Sequence, residues 1–257
     1  MSFLQLNDIE HTYFSKKNAN TALSSVSLQV HEGEFISLIG PSGCGKSTLL
    51  SIMSGLIQPT AGEILLTNQP IKDMRKQIGY MLQQDYLFPW RTIEENIFTG
   101  LKITNTLTED KKNYAYELLE QMGLKKYLHH YPKQLSGGMR QRVALVRTLV
   151  TEPKLLLLDE PFSALDYQTK LKLEDLIWET LKKFNKTAVL VTHDIGEAVA
   201  MSDRIFLFSK SPGKIHQEFI VPEHLRKLIP FEARNHPSYN ELFKQIWKEL
   251  DSLEDND

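Results

Sequence analysis

The 257-residue sequence predicts an α/β fold with a mixed sheet core, an N-terminal antiparallel β part and an inserted helical subdomain. In the second half of the chain, apolar β-prone segments alternate with helical patterns, which is typical of parallel strands joined by helices. Alternating strand patterns precede this region. Helical patterns alone occupy about residues 93–149, between the two β-rich parts.

The N-terminal β part is predicted from alternating apolar and polar residues. The segments "FLQLNDI" (3–9), "SSVSLQV" (24–30) and "GEILL" (62–66) carry this pattern. Alternation with a period of two is typical of a strand with one buried face. We expect these strands to form an antiparallel sheet beside the apolar strand "EFISLI" (34–39).

The next stretch, "GPSGCGKSTLL" (40–50), leads from that strand into a helix. Strand, glycine-rich loop and helix in this order predict a phosphate-binding loop, since glycines let backbone N–H groups point inward and the helix dipole favours an anion. Lys46 is expected to reach the β- and γ-phosphates of ATP, and the Ser47 hydroxyl to hold Mg²⁺. The alternative, a surface loop with an accidental lysine, is disfavoured by the flanking strand and helix. The expected nucleotide-binding residues are Gly40, Pro41, Ser42, Gly43, Cys44, Gly45, Lys46, Ser47 and Thr48.

The later elements follow from periodicity. Within the helical region, "DKKNYAYELLEQMGL" (110–124) predicts an amphipathic helix ending near Gly123. Strands are predicted at "LLLLDE" (155–160), "AVLVTH" (188–193) and "RIFLFS" (204–209), and they imply a parallel sheet with ligands at the carboxyl ends of its strands.

The C-terminal extension, about residues 214–257, contains one amphipathic helix pattern, "SYNELFKQIWKEL" (238–250). We assign this helix to packing rather than regulation. The acidic end, residues 254–257, is expected to be frayed and solvated.

A second chemical site is predicted where "LLLLDE" ends. Four leucines predict a strand buried on both faces, and two carboxylates, Asp159 and Glu160, follow it directly. Asp159 suits Mg²⁺ binding, and Glu160 suits a general base that orients water for attack on the γ-phosphate. A strand end capped by solvated acids is the alternative, and the upstream phosphate loop argues against it.

Composition restricts the partners and the compartment. The formal net charge is −2 with charges spread along the chain, so nucleic acid is not expected as a partner. Cys44 is the only cysteine in the sequence, so an internal disulfide is excluded and a reducing compartment is favoured. For Cys44 itself, a space-filling role is favoured over a redox switch, because the chain has no second cysteine to resolve an oxidised thiol. The first residues, "MSFLQLNDIEHTYF", have neither a basic start nor a continuous apolar core, and no segment approaches the roughly 18 apolar residues of a membrane span. We therefore expect any membrane role to be peripheral.

Further motifs resemble those of ABC transporter ATP-binding subunits. They appear in family order over about residues 4–213, and together with the phosphate loop and the two carboxylates they imply a P-loop NTPase ABC cassette in which residues 1–257 form a single domain. "VALVRTL" (143–149) departs from the alanine-rich run usual in the family, which puts nothing catalytic in doubt. The motifs are Tyr13 in "IEHTYF", Gln83 in "GYMLQQDYLFPW", the signature "LSGGMRQR" (135–142), the D-loop "SALD" (163–166) and His193 after "LVT".

The resemblance implies a role for each matching residue. Glu160, His193 and Gln83 would be catalytic, and Ser47, Gln83 and Asp159 would hold the metal. Tyr13 would stack on adenine, unless it belongs to the core. Gln84 competes with Gln83, and His193 has the alternative of a polar strand end.

The signature implies a dimer. Ser136, Gly137 and Gly138 open a helix, so they would bind the nucleotide held by a second copy of the chain, and Asp166 would join that nucleotide site. With one phosphate loop and one signature per chain, a head-to-tail pair that buries two ATP molecules is expected. The alternative for "SGG" is a plain helix cap.

The segment "LFPWRTIEENI" (87–97) resembles importer ATPases of the nitrate, sulfonate and taurine group. This resemblance implies a small organic anion as solute, two membrane-spanning permease subunits, an extracytoplasmic solute-binding protein and a location at the cytoplasmic face of the membrane. Trp90 and Arg91 form either an interface anchor or part of the subdomain packing. The alternatives are an importer for another solute such as a pyrimidine vitamin precursor, a soluble ABC ATPase without a membrane partner, and a non-catalytic nucleotide-binding module. The uninterrupted single cassette argues against the second, and the presence of Glu160 and His193 against the third.

Overall fold

The structure, a computed structural model, describes residues 2–16 and 18–254, so residues 255–257 of the acidic end at 254–257 lie outside the described residues. The strands are β1 (Ser2–Phe14), β2 (Ala19–His31), β3 (Phe35–Ile39), β4 (Ala61–Leu66), β5 (Gln69–Pro70), β6 (Ile78–Met81), β7 (Leu155–Asp159), β8 (Thr187–Val191), β9 (Arg204–Phe208) and β10 (Ile215–Ile220). The α-helices are α1 (Lys46–Met53), α2 (Ile93–Ile97), α3 (Thr99–Ile103), α4 (Glu109–Gln121), α5 (Gly137–Leu149), α6 (Tyr167–Lys183), α7 (Ile195–Met201), α8 (Glu223–Arg226), α9 (Pro230–Ala233) and α10 (Pro237–Glu254).

The chain divides into two compact units. The first contains Met1–Arg75 and Glu174–Asp257, and the second contains Lys76–Leu173. The helices of the predicted subdomain, about 93–149, lie within the second unit, which also includes β6 and β7.

The first unit contains the antiparallel sheet predicted from the alternating segments, in the strand order β2-β1-β4-β5. At its centre, Leu6 of β1 pairs with Leu28 of β2 on one side and with Ile64 of β4 on the other. All three side chains are buried, as a sheet with one apolar face requires. The N-terminal antiparallel β part is thus confirmed.

A second sheet of the first unit places β3 between β8 and β9, parallel to both. Every residue of β3 is buried, which explains its continuous apolar sequence. Because parallel neighbours end at the same edge, the phosphate loop after β3 and His193 after β8 lie at one end of this sheet. The sheet is mixed because β10, which no sequence pattern predicted, pairs antiparallel with β9.

In the second unit β6 and β7 pair in parallel, with Met81 opposite Leu158. All five residues of β7 are buried, as the run of leucines predicts. The two strands end at the same edge, so the segment from Gln83 and the pair Asp159–Glu160 leave the sheet side by side.

The C-terminal extension packs within the first unit through α10. Leu242 and Ile246 of this helix join a buried apolar cluster with Ala198 and Val199 of α7. Packing of this kind agrees with the structural assignment of the extension. An ion pair also links the extension to α6, with Arg234 Nη2 2.7 Å from Glu174 Oε2.

Candidate functional site

The phosphate loop is shaped by its glycines. Gly45 has a φ of 97°, and a Cβ built there would lie 2.7 Å from the carbonyl oxygen of Ala22, so a side chain at this position would be both strained and blocked. The loop turns directly into α1, which begins at Lys46. The helix N-terminus therefore faces the interior of the loop, where an anion is favoured.

Lys46 is held inside the loop by the backbone. Its Nζ atom donates to Gly40 O at 2.7 Å and to Pro41 O at 2.9 Å. Cys44 is buried, with its Sγ 3.4 Å from the same ammonium group, which agrees with the space-filling interpretation. A cation held in the loop by two backbone carbonyl oxygens fits a nucleotide phosphate.

The start of α1 also fits Mg²⁺-bound ATP. The first turn carries no acidic residue that would compete with phosphate, and Ser47 is exposed there. When bound, Mg²⁺ neutralises charge that develops on the β- and γ-phosphates. Ser47 would hold it at the start of α1, and the metal-binding roles expected of Asp159 and Gln83 stay predictions.

Tyr13 on β1 lies next to the phosphate loop helix. Its hydroxyl is 3.2 Å from Thr48 Oγ1, and its ring contacts His11 edge to face at a centroid distance of 4.5 Å. The side chain is 44% exposed, so it does not belong to the core. An exposed aromatic face beside the loop is what adenine stacking requires, and this role stays a prediction.

Glu160 has an unusual backbone conformation directly after β7. Its φ is +47°, a left-handed conformation that non-glycine residues rarely adopt. The carbonyl oxygen of Glu160 accepts hydrogen bonds from the Ser163 backbone N–H at 3.3 Å and from Ser163 Oγ at 3.0 Å. Asp159 before it is buried. The tight turn thus keeps Asp159 in the strand end and directs Glu160 away from it.

Gln83 and Glu160 are in direct contact. Gln83 Nε2 donates to Glu160 Oε2 at 3.0 Å, although the two residues are far apart in sequence. This hydrogen bond supports the assignment of Gln83, rather than Gln84, to the Q-loop position. An amide beside a carboxylate can orient a water molecule between them and a phosphate.

The signature residues open α5. Ser136 is the N-cap of α5, because its side chain accepts a hydrogen bond from the Met139 N–H at 3.3 Å. The alternative of a helix cap is therefore correct for the Ser136 side chain. A Cβ on Gly138 would lie 3.0 Å from the Leu165 side chain, so the signature packs closely against the "SALD" segment. Ser136 and Gly137 are exposed and remain accessible to a ligand of a second copy.

Asp166 lies directly before α6, and His193 lies just after β8. Asp166 accepts from the Thr169 N–H at 3.0 Å, and hydrogen bonds from Thr169 lower the pKa of Asp166. It therefore caps α6, and its contact with nucleotide stays a prediction. His193 is exposed after β8, where the next residue, Asp194, caps α7 through the N–H groups of Gly196 and Glu197.

Sequence reasoning missed the residues that fix the Gln83 segment. Arg140 Nε donates to Asp85 Oδ2 at 2.9 Å, and the Arg147 guanidinium donates to the carbonyl oxygens of Asp85 at 2.7 Å and Tyr86 at 2.9 Å. Burial lowers the pKa of Arg147, with Asp85 opposing this effect. Arginines on a mainly apolar helix were the available signal, but their partners depend on tertiary structure.

The segment after Gln83 exposes a tryptophan. Trp90 is 70% exposed and packs on Phe88 at a centroid distance of 5.5 Å, so it is not part of the subdomain packing. Arg91 instead supports the loop, because it lies over the Phe88 ring and donates to Thr99 Oγ1 at 2.8 Å. The buried Asn96 side chain holds the same loop, accepting from the Phe88 N–H at 2.7 Å.

The back of the phosphate loop is covered by the turn between β9 and β10. Gly213 in this turn donates its N–H to Ala22 O at 2.9 Å and accepts from the Ser24 N–H at 3.0 Å. A Cβ built on Gly213 would lie 1.9 Å from the carbonyl oxygen of Cys44. The two loops are therefore in contact at a distance that only glycine permits.

The described residues contain neither a membrane-spanning helix nor a cluster of metal ligands. No helix within residues 2–16 and 18–254 has the length and apolar character needed to cross a membrane. Over the same residues, no three His, Cys, Asp or Glu side chains converge as a set of metal ligands.

Comparison with known proteins identifies similar sequences and folds. Residues 23–163 match the family described as "ABC transporter". The chain is 59% identical, over 99% of its length and 98% of the relative, to the uncharacterized ABC transporter ATP-binding protein YtlC of Bacillus subtilis (strain 168). It is 39% identical, over 96% of its length and 93% of the relative, to the aliphatic sulfonates import ATP-binding protein SsuB of the same strain. Among solved structures, the dimeric post-hydrolysis state of the ATP-binding cassette MJ0796 bound to ADP and Pi is 34% identical, with a TM-score of 0.78 over 85% of this chain and 99% of that one.

Proposed function

Because the chain belongs to the ABC transporter family, whose ATP-binding members are ATPases coupled to transport, we propose that it powers import of an aliphatic sulfonate or a related small organic anion. The hydrogen bond between Gln83 and Glu160 carries the catalytic part of this proposal. Similarity to SsuB across 96% of the chain supports the solute class and the direction.

In the proposed reaction, the Glu160 carboxylate accepts a proton from the water that attacks the γ-phosphate. Gln83 orients this water and, through its contact with Glu160, responds to whether the phosphate is present. Lys46 stabilises negative charge on the phosphates, and the His193 imidazole donates a hydrogen bond to the γ-phosphate. The products are ADP and phosphate.

We propose that two copies act head to tail. The chain has one phosphate loop and one signature. The N-terminus of α5, where Ser136 is exposed, is a second helix end that favours an anion. In the dimer, this helix end would close over the ATP bound by the partner copy. The dimeric state of the MJ0796 cassette supports this arrangement.

The second unit has a groove beside an exposed tryptophan. A groove of about 310 Å³ is lined by residues that include Tyr80, Phe88, Thr99 and Arg147. Trp90 stands beside it on Phe88. A groove next to an exposed tryptophan is typical of an interface with an anchoring aromatic residue. We propose that a permease subunit binds here, at the cytoplasmic face of the membrane, while a separate extracytoplasmic protein selects the solute.

Uptake in cells tests the function. A strain that relies on this chain is compared with one carrying Glu160→Gln, using labelled aliphatic sulfonate, taurine, nitrate and a pyrimidine as separate solutes. We expect sulfonate or taurine uptake to disappear in the variant. Loss of pyrimidine uptake alone would favour the vitamin-precursor alternative, and loss of none of the four would contradict the proposed solute class.

A further inference from the structure

Gln141, on the second turn of α5, connects the two segments that carry Gln83 and Glu160. Its Nε2 atom donates to the carbonyl oxygen of Gln83 at 3.3 Å and approaches that of Glu160 at 3.5 Å. The residue is only 4% exposed. A buried amide placed between two backbone oxygens fixes the distance between the chain segments to which they belong.

The contacts form a closed arrangement of three residues. Gln141 holds both backbones, and the Gln83 side chain donates to the Glu160 carboxylate at 3.0 Å. The Gln83 side chain reaches this carboxylate only if the two backbones keep their separation. We propose that Gln141 is a positioning residue for ATP hydrolysis, acting through Gln83 and Glu160 without contact with ATP.

The backbone of Glu160 shows why an additional support is needed. Its left-handed conformation is less stable than an extended or helical one, so surrounding contacts must maintain it. Ser163 supplies two donors to the Glu160 carbonyl oxygen from the C-terminal side. Gln141 approaches the same oxygen from α5 and ties the turn to a regular helix.

The remaining contacts of α5 with the Gln83 segment act further along the chain. Arg140 binds the Asp85 side chain, and Arg147 binds the carbonyl oxygens of Asp85 and Tyr86. These bonds hold residues 85 and 86 in place when Gln141 is changed. A variant of Gln141 should therefore keep the fold of the segment and lose the alignment of Gln83 with Glu160.

The inference rests on the proposed function in taking Glu160 as the base, and kinetics of Gln141→Met test it. Methionine keeps the length and approximate volume of glutamine but donates no hydrogen bond. Since a misplacement of about 1 Å can cost roughly 100-fold in rate, we expect kcat to fall by about 10- to 100-fold with the KM for ATP changed less than about threefold. Val143→Ala is the control, because it weakens packing of the same helix at a buried site without a polar contact; it should lower the melting temperature but leave kcat nearly unchanged.

A double-variant cycle separates positioning from general destabilisation. In single-turnover measurements, adding Gln141→Met to Glu160→Gln should cost less than about twofold, because the base that Gln141 positions is already absent. If the two losses multiply in full, or if Gln141→Met alone has the wild-type kcat while Glu160→Gln is inactive, the positioning role is wrong. A Glu160→Gln variant with wild-type turnover would instead overturn the base assignment on which this inference rests, while the proposed solute import would still be decided by the uptake experiment.

Discussion

Replacing Arg234 with methionine should strongly destabilise the protein. The Glu174 carboxylate is 0% exposed, and the Arg234 guanidinium lies 2.7 Å from it. Breaking a buried ion pair by removing one partner typically costs about 3–5 kcal/mol, since the remaining charge stays buried. For a chain of this size, each kcal/mol corresponds to roughly 2–4 °C, so we expect the melting temperature to fall by about 6–20 °C.

The structure supplies a control with the same bond length. Lys227 and Glu223 of the same extension are also 2.7 Å apart, but their side chains are 72% and 71% exposed. Lys227→Met should leave the melting temperature almost unchanged, because solvent screens an exposed pair. The double variant Arg234→Met with Glu174→Leu should recover most of the lost stability, since it removes both charges.

Thermal unfolding followed by circular dichroism measures all four proteins. Equal shifts for Arg234→Met and Lys227→Met would refute the reasoning, because burial would then make no difference. Failure of the double variant to recover would show that the cost of Arg234→Met comes from lost packing of the arginine stem rather than from the buried charge of Glu174.

Further predictions concern nucleotide and partner binding. Glu160→Gln should lower ATP turnover by about 10²–10⁴-fold while ATP binding persists and a dimer accumulates in size-exclusion chromatography, whereas Lys46→Ala should weaken ATP binding itself in calorimetry. Wild-type turnover of the former would remove Glu160 as the base. Tyr13→Ala should raise the dissociation constant for ATP about tenfold or more, since base stacking is worth ~1–3 kcal/mol, and Tyr13→Phe should be nearly silent; equal affinities would exclude stacking. Trp90→Ala should weaken permease binding by ~2 kcal/mol or more and abolish transport while ATPase activity of the isolated subunit survives. Trp247→Ala, at another exposed tryptophan, is the control, and similar co-purification of both variants with the permease would place the interface elsewhere.

Much of the fold could be predicted because the local sequence pattern of its central strands indicates β-structure. β3 and β7 are buried along their whole length, so burial alone explains their unbroken apolar sequence. The antiparallel strands were equally visible from alternation, although β1 and β2 extend beyond the predicted segments. β10 escaped prediction because its residues alternate between exposed and half-buried positions with one buried side chain.

The positions of the candidate site residues at strand and helix ends could be predicted from the sequence, but their contacts could not. The phosphate loop and the carboxylates after β7 are marked by their position after buried strands. The hydrogen bond from Gln83 to Glu160 and the support from Gln141 join segments distant in sequence, so no local pattern reports them. Nor does sequence reveal the left-handed backbone at Glu160, a conformation that favours glycine.

The contact between Gly213 and the phosphate loop has a consequence for how the protein tolerates change. The turn at residues 209–214 belongs to no nucleotide-binding motif, and Ser211 and Pro212 within it are exposed. Exposed turns of this kind usually tolerate substitution. Gly213 is the exception in this turn, because even a methyl group there would collide with Cys44 O and displace the phosphate loop. In a saturation mutagenesis screen, position 213 should therefore tolerate substitution as poorly as the phosphate-loop positions do, and less well than its neighbours in the turn.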